Sequence, residues 1–594
     1  MRPSAMMTLF LCALLTAALA VPALAAPPAG GPPADRAREE FLAKIFQGDT
    51  DLPIGLTPEE EANLDLIGMR HTVTPPPTAP VRNPGEYEPM TGVIVRYPWG
   101  NPLNLLCEYA EDVMLWVVVT SASQATAYSQ LQSAGCNMAH VGFVNASTNT
   151  YWTRDYGPWF IVDGSNVQGI ADHQYNRPRP LDDLIPGVIG TAWGIPVYGM
   201  GLGTTGLNHT GGNYMSDGRG IAMSSRLVID ENPSFTPAQI DDIMEAYVGV
   251  RQYEKLPYVQ TSGIHHIDCW AKFLAPDKIL IRSVPSNHTD YARIEANVAY
   301  ISTLTSSYGT PYEIYRVYTP NNEPYTNSLI VNNKVLVPMY GTAWDDDAIA
   351  TYQAAMPGYE VLGFTGSWLS DDAIHCRAMG VTDRYMLYID HVPLDDMAST
   401  EDEYRVAALI NDMSEAGLIA DSLRVYWKTS SAPSFSPIVM TAIAGTDSFF
   451  AEIPAQPVGT EVLYYISATD SSGRWEKNPY IGAPDPYSFD VVPGTGVPEP
   501  VVERLAIRQN SPNPFNPSTK IQFEVPADGC VTLTVYSASG RKVATLIDRE
   551  IPAGPHAVAW NGTDDAGQAV ASGVYLFRLE QGEETVTAKG VLLK

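Results

Sequence analysis

A chain of 594 residues is too long for one hydrophobic core and should divide into roughly three or four domains. Hydrophobic residues make up 45%, with 32 Tyr and 11 Trp, so the domains are packed and globular; 48 Pro and 47 Gly call for turns and linkers rather than long helices. The balance of 36 basic against 66 acidic residues, −30 overall, disfavours nucleic acid and anionic lipid as partners and favours cationic substrates, unless the acidity serves only solubility.

Met1-Arg2, the apolar run from Met6 to Leu19 and Ala23-Leu24-Ala25 have the form of a signal peptide over residues 1–25. Export is expected, leaving the protein secreted or attached to the outer cell surface. The apolar run is short for a membrane span, and no later stretch approaches the ~20 apolar residues that a span needs. Loss of the leader removes Cys12 and leaves Cys107, Cys136, Cys269, Cys376 and Cys530, an odd set in which at least one thiol is free or pairs between chains. Cys107 and Cys136 lie one αβ unit apart and are candidates for a bridge. Residues 26–80 are Pro-rich, then charged, then Pro-rich again, which reads as a pro-segment or linker.

Thr91 to Tyr97 is a β-branched run, followed by a helical pattern at Leu103 to Asp112 and an apolar run at Met114 to Val119, so strand, helix and strand are predicted. The theme recurs in a helix at Pro237 to Tyr247 and strands at Lys278 to Arg282, Ser328 to Val331 and Lys334 to Val337, the last two joined by a tight turn at Asn332-Asn333. Repeated α/β units are therefore expected through residues 81–388. Glu403 to Ala416 reads as one further helix, while Leu423 to Trp427 and Glu461 to Ile466 read as strands of a β-sandwich over residues 389–492. Residues 493–500 form a linker. A second small β domain fills 501–594, with alternation at Val531, Leu533 and Val535 and a strand at Val574 to Leu579.

Tyr151 to Trp159 packs aromatic residues around Asp155 just before a strand. An apolar wall beside an anion suits a flat, delocalised cation, because guanidinium stacks on aromatic faces and pairs bidentately with carboxylates. The plain alternative is a surface pair between Arg154 and Asp155. In Ile264 to Trp270, taken as a strand, Ile264, His266 and Asp268 share one face, while His265 packs with the other in a structural role. Zinc is the rival use of His266 and Asp268, but no third nitrogen or sulfur ligand lies at metal-site spacing, so no metal is assigned. Asp345-Asp346-Asp347 could hold a structural calcium ion, an exposed acidic turn being the plainer reading, and no cofactor is required. Cys376 follows Asp371-Asp372-Ala373-Ile374-His375; a lone Cys is more often core than nucleophile.

Taken together, Trp152, Asp155, Gly211-Gly212-Asn213, His266, Asp268, Asn327 and Cys376 resemble the guanidine-modifying deiminases, in particular the secreted bacterial peptidylarginine deiminases. Glu86 to Met90, Tyr325 to Leu329 and Ile374-His375-Cys376 extend the resemblance across residues 81–388. It implies an α/β catalytic domain built as a five-bladed pseudo-symmetric propeller, followed by an immunoglobulin-like β-sandwich. It also implies roles. Asp155 and Asp268 grip the guanidinium beside Trp152 and Ile264, and Cys376 attacks as a thiolate favoured by nearby cationic groups. His266 serves as acid and then base, and Asn327 orients Cys376. In Asn176-Arg177-Pro178-Arg179-Pro180, Arg177 and Arg179 resemble the receptor for a substrate's C-terminal carboxylate, against the alternative of a solvated turn stiffened by its prolines. The expected activity is deimination of arginine-containing peptides or proteins to citrulline and ammonia. Agmatine or another small guanidine is the alternative substrate, and a surface adhesin on a degenerate propeller is an alternative of another class. Ser511 to Pro517 and Gly573-Val574-Tyr575 resemble both type IX secretion sorting domains and the immunoglobulin-like domain of flagellar hook-cap proteins, which makes the outer-membrane secretion machinery an expected partner. Oligomeric state is left open.

Overall fold

A computed structural model describes residues 33–48, 52–493 and 505–592, the last stretch without 512, 514, 516, 518, 528, 538–539, 552–553, 566–567 and 583. The leader over 1–25 and most of the linker over 493–500 lie outside the described residues. The chain separates into two compact units, one running to Met397 and including Glu401–Val491, the other comprising Ala398–Thr400 and Val492–Lys594.

The first unit is built on a fivefold repeat of mixed sheets. In each, a first strand pairs antiparallel with a second, and a helix carries the chain over to a third strand that pairs parallel with the second. Strands Trp159–Val162, Gln168–Asp172 and Val197–Gly199 with helix Ile185–Trp193 form one such unit. Met215–Ser216, Ile221–Ser225 and Gln252–Leu256 with helix Pro237–Val248 form the next. Ala271–Phe273, Lys278–Ser283 and Glu313–Tyr318 with helix Tyr291–Ile301 follow, then Leu329–Val331, Lys334–Met339 and Glu360–Thr365 with helix Asp345–Ala355. The remaining sheet is shared by both ends of this region: Met90–Arg96 pairs parallel with Met114–Val119 and antiparallel with Met379–Thr382. Pairing runs within these five separate sheets and two further two-stranded ones rather than around one closed barrel.

Local chemistry explains the units. Helix Pro237–Val248 starts with Thr236 and Gln239 in a reciprocal capping box, carries Pro at its first turn and ends at Gly249 with φ +73°, each device satisfying an end group that the helix leaves open. The hairpin between Val331 and Lys334 turns on Asn332 at φ +53°, a conformation that Asn tolerates, and the Asn332 side chain bonds both backbone groups of Met90. Middle strands are covered on both faces, so Val335, Leu336 and Val337 are all buried in succession.

The β-sandwich follows from Leu387. The segment Glu403–Asp412, expected as a helix, is a strand. Its buried residues are Tyr404, Val406, Ala408 and Ile410, a period of two that the Ala- and Glu-rich composition masked. In the second unit, a three-stranded sheet (Ala506–Ser511, Thr519–Val525, Gly554–Trp560) and a four-stranded sheet (Lys542–Ile551, Gly529–Ser537, Gly573–Gln581, Glu584–Leu592) enclose a core that includes Phe523, Leu533, Trp560 and Phe577.

Three other expectations are corrected. Residues 264–270 are not a strand: Gly263 and His265 take φ +103° and +59°, which breaks extended backbone, and Ile267–Cys269 is one 3-10 turn. The acidic triplet opens helix Asp345–Ala355 instead of making a turn; the Asp345 carboxylate accepts from Tyr325 and from the Tyr340 and Gly341 amides. Within 26–80, the described part is folded: helix Pro33–Gln47 packs Phe41 and Ile45 against Leu52 and Leu66, and a one-turn helix, Pro58–Glu61, carries a buried Glu60. Cys107 and Cys136 are bridged, leaving Cys269, Cys376 and Cys530 as thiols.

Candidate active site

The residues singled out in the sequence sit at equivalent places in the repeat, in the short turn just ahead of a unit's first strand. Trp152 and Asp155 belong to the one-turn helix Thr153–Tyr156 before Trp159–Val162. Gly212 lies in the 3-10 turn Gly211–Asn213 before Met215–Ser216, and His266 with Asp268 flank the turn before Ala271–Phe273. Asn327 precedes Leu329–Val331, and Cys376 lies in the turn His375–Arg377 before Met379–Thr382.

Gly212 marks where they meet. A Cβ there would fall 2.6 Å from His266 Nδ1, 2.7 Å from Asp155 Oδ1 and 3.2 Å from Asp268 Oδ2, so only the bare backbone fits among the three. Its N–H donates to Asp155 Oδ1 at 3.2 Å. Thus His266 and Asp268 converge although the strand geometry invoked for them is absent; the turn after His265 does the work instead. His265 points elsewhere, its half-buried ring stacked on Tyr258 at 4.2 Å. His266 is fully buried, lies 3.5 Å from Asp155 Oδ1, and has no hydrogen-bond partner on either ring nitrogen. A buried imidazole left unsatisfied at both ends suits a group that makes its bonds to substrate.

Asn327 fixes the thiol. Its side-chain amide donates to Cys376 Sγ at 3.2 Å, and its oxygen accepts the N–H groups of Cys376 and Ala373. The sulfur is fully buried, 3.7 Å from Asp268 Oδ2. The cationic neighbours expected to favour a thiolate do not prevail: burial first, then Asp268, Asp372 and Asp155, push the Cys376 thiol well up. Carboxylates beside the thiol suit a cationic substrate. Burial and then Asp268 push Asp155 up to about 7, while burial pushes His266 down to about 3 against the pull of Asp268.

Asp268 remains the ionised carboxylate. Burial is the largest effect and works to raise it, but the hydrogen bond from His375 Nδ1 to Oδ2 at 2.7 Å, together with the charges of His375, His266 and Arg154, holds it below the ordinary value. His375 in turn reaches Glu86 Oε2 through Nε2 at 2.7 Å, and Glu86 is held by Lys272 at 2.6 Å and Arg154 at 2.9 Å. Despite burial, Lys272, His375 and Arg154 keep Glu86 well below the usual carboxylate range. Arg154 therefore makes no surface pair with Asp155. The roles of Glu86 and His375 escaped sequence reading because the two lie 289 residues apart and no spacing rule joins them.

The remaining candidates line the same buried region. Trp152 and Ile264 share an apolar cluster with Ile54, Trp270 and Cys376. Arg177 and Arg179 are buried rather than in a solvated turn, with Arg179 Cζ 5.7 Å from the Trp152 ring. Arg177 lies 3.6 Å from Glu231, and Arg179 Nε pairs with Glu60 at 2.7 Å. Among the described residues no group of three or more His, Cys, Asp or Glu is placed to hold a metal ion.

Residues 84–381 match the family model described as Porphyromonas-type peptidyl-arginine deiminase, and residues 511–584 match the FlgD Ig-like domain. An agmatine deiminase of Medicago truncatula is 26% identical over 317 residues, covering 44% of this chain and 82% of the relative. An agmatine deiminase of Pseudomonas syringae pv. syringae is 24% identical over 349 residues, covering 49% and 93%. Among solved structures, the agmatine deiminase of Enterococcus faecalis matches with a TM-score of 0.45 at 20% identity, over 51% of this chain and 96% of that one.

Proposed function

This chain belongs to the Porphyromonas-type peptidyl-arginine deiminase family, and from that premise we propose that it is an exported deiminase converting a peptide's C-terminal arginine to citrulline and ammonia. The observation that carries this reading is the convergence of Asp155, Asp268 and His266 on Gly212, with the Cys376 sulfur 3.7 Å from Asp268. A guanidinium between Asp155 and Asp268 supplies a cation. It offsets the carboxylate field that adds to burial in raising Cys376, and it holds the reacting carbon for attack.

Cys376 then gives its proton to His266 and its sulfur adds to the guanidinium carbon. His266 returns the proton to an amino nitrogen, which leaves as ammonia, and the carbon is left as a cationic thiouronium on sulfur. Water adds with its proton passing to His266, the C–S bond breaks, and the sulfur recovers a proton. The product is a ureido group, and ammonia carries off the last proton as ammonium. Arg177 and Arg179, buried beside Trp152, are the receptor for the terminal carboxylate in this reading.

A second substrate deserves a place because the curated relatives are named agmatine deiminases. Agmatine has no carboxylate to offer the arginine pair. The five repeated units would form five blades around the site, and the second unit would direct outer-membrane secretion. The test incubates a defined arginine-terminated peptide, its amide and agmatine with the protein; a ~1 Da mass gain per arginine reports conversion of imine to carbonyl. Preference for the free-acid peptide is expected, and turnover of agmatine alone would replace the peptide reading.

A further inference from the structure

We propose that the segment from Leu52 to Leu66 is an autoinhibitory plug, in which Glu60 takes the place of a substrate carboxylate on Arg179. The inference rests on the deimination reading above and concerns control of that same site.

Glu60 and Arg179 are both completely buried, 0% exposed. Glu60 Oε1 meets Arg179 Nε at 2.7 Å and Oε2 meets Nη2 at 3.2 Å, the two-point fork by which guanidinium receives any carboxylate. Arg179 Nη2 also donates to the carbonyls of Pro53 and Gly55, at 2.6 and 3.0 Å, while Nη1 has no partner. Arg177 is engaged from the same segment, its Nε donating to Ile54 O at 3.4 Å. The Ile54 side chain joins the buried cluster that holds Trp152, Ile264 and Cys376. With this segment seated, Cys376 and His266 are both fully buried.

The choice of a glutamate fits exchange better than permanent bracing. A buried arginine stripped of its partner is costly, whereas one carboxylate can replace another there with the charge pair intact. Glu60 is presented on a single turn, and what stiffens it is local: Thr57 and Glu60 form a capping box, Thr57 N donating to Glu60 Oε2 at 2.9 Å. The segment's own core is a small satellite of Phe41, Ile45, Leu52 and Leu66, separate from the main clusters. The plug is held by one buried charge pair, three carbonyl contacts, this satellite core and the Ile54 side chain, and its release would withdraw Ile54 from the cluster around Trp152.

The test uses the full chain and two readouts: the alkylation rate of Cys376 by a chloroacetamidine, whose planar cation suits the site, followed by mass spectrometry of the Cys376 peptide, and citrulline formation from a free-acid arginine peptide. Glu60→Gln should speed alkylation at least tenfold over the parent. Thr57→Ala, which loosens the turn but leaves Glu60 in place, should speed it less; it decides the matter if Glu60→Gln melts below assay temperature. Equal alkylation rates in parent and variants would overturn the plug. Faster alkylation with no citrulline from any protein would sustain the plug and sink the deimination reading. Equal alkylation with full citrulline formation would do the reverse.

Discussion

Asn327 grips Cys376 from both ends: its amide nitrogen donates to the sulfur at 3.2 Å, and its amide oxygen accepts the Cys376 backbone N–H at 3.2 Å. The donor favours the ionised sulfur over the neutral thiol, and the acceptor fixes the turn that carries it. Replacing Cys376 with Ala or Ser should abolish citrulline formation with melting unchanged to within a few degrees, since the step needs a thiolate and a hydroxyl does not ionise near neutral pH. Asn327→Ala should cut kcat at least tenfold and also lower stability by about 1 to 3 kcal/mol, because two buried N–H groups lose their acceptor. Kinetics and thermal melts on the same preparations separate the two effects.

The two adjacent histidines should behave oppositely. His266→Ala is expected to remove turnover by at least a hundredfold, as loss of the proton carrier in both half-reactions. His265→Ala should leave kcat nearly intact, because that ring stacks on Tyr258 outside the site. A reversed outcome would show that the proton moves by another route.

This pair also shows what sequence could supply. His266 and Asp268 were legible as partners, but through a strand that the chain does not form; φ +59° at His265 is a backbone choice that side-chain periodicity cannot reveal. Strands such as Lys334–Met339 were legible because a middle strand covered on both faces is a continuous apolar run. Glu403–Asp412 was misread because its exposed positions carry helix formers while its burial alternates. Glu86 was legible only as part of a motif, and neither its bond to His375 nor that of Glu60 to Arg179 could be read, since each partner lies more than a hundred residues away.

Asp155 should contribute a defined part of the pH response. Its carboxyl is pushed up to about 7 from an ordinary 3.8, by burial and then by Asp268. The folded state thus keeps a proton that the unfolded chain releases above pH ~4, so this group withdraws stability as pH rises from about 4 to about 7 and changes nothing further above. Asp155→Asn removes that titration: its melting temperature should exceed the parent's at pH 8, the gap shrinking toward pH 4, while activity is lost. In the parent, kcat/KM should fall as pH drops below about 7. A variant less stable than the parent at pH 8 would count against a destabilising charge at Asp155.

Arg177 and Arg179 make the specificity prediction. A charge-assisted contact is worth roughly 1.5 to 3 kcal/mol, so Arg177→Ala or Arg179→Ala should lower efficiency on a free-acid arginine peptide by about one to two decades. The amidated peptide should not share that loss. A parent that treats acid and amide alike would show that the pair serves structure only.

Deleting residues 501–594 should leave kcat and KM unchanged, because that stretch belongs to the second unit and no site residue lies beyond Cys376. Measuring both constants on the folded, truncated protein checks this; a large loss would tie the second unit to catalysis.

The sheet shared by both ends of the α/β region sets a timetable. Strand Met379–Thr382 pairs with Met90–Arg96 across Ile94 and Met379, and Cys376 stands three residues ahead of it. A chain made or threaded from its N-terminus has Asp155, His266, Asp268 and Asn327 in hand long before the sulfur arrives. On the proposed roles, the thiol comes with the strand that completes this first sheet, so a nascent chain carries the residues proposed to hold a guanidinium before the sulfur proposed to attack it.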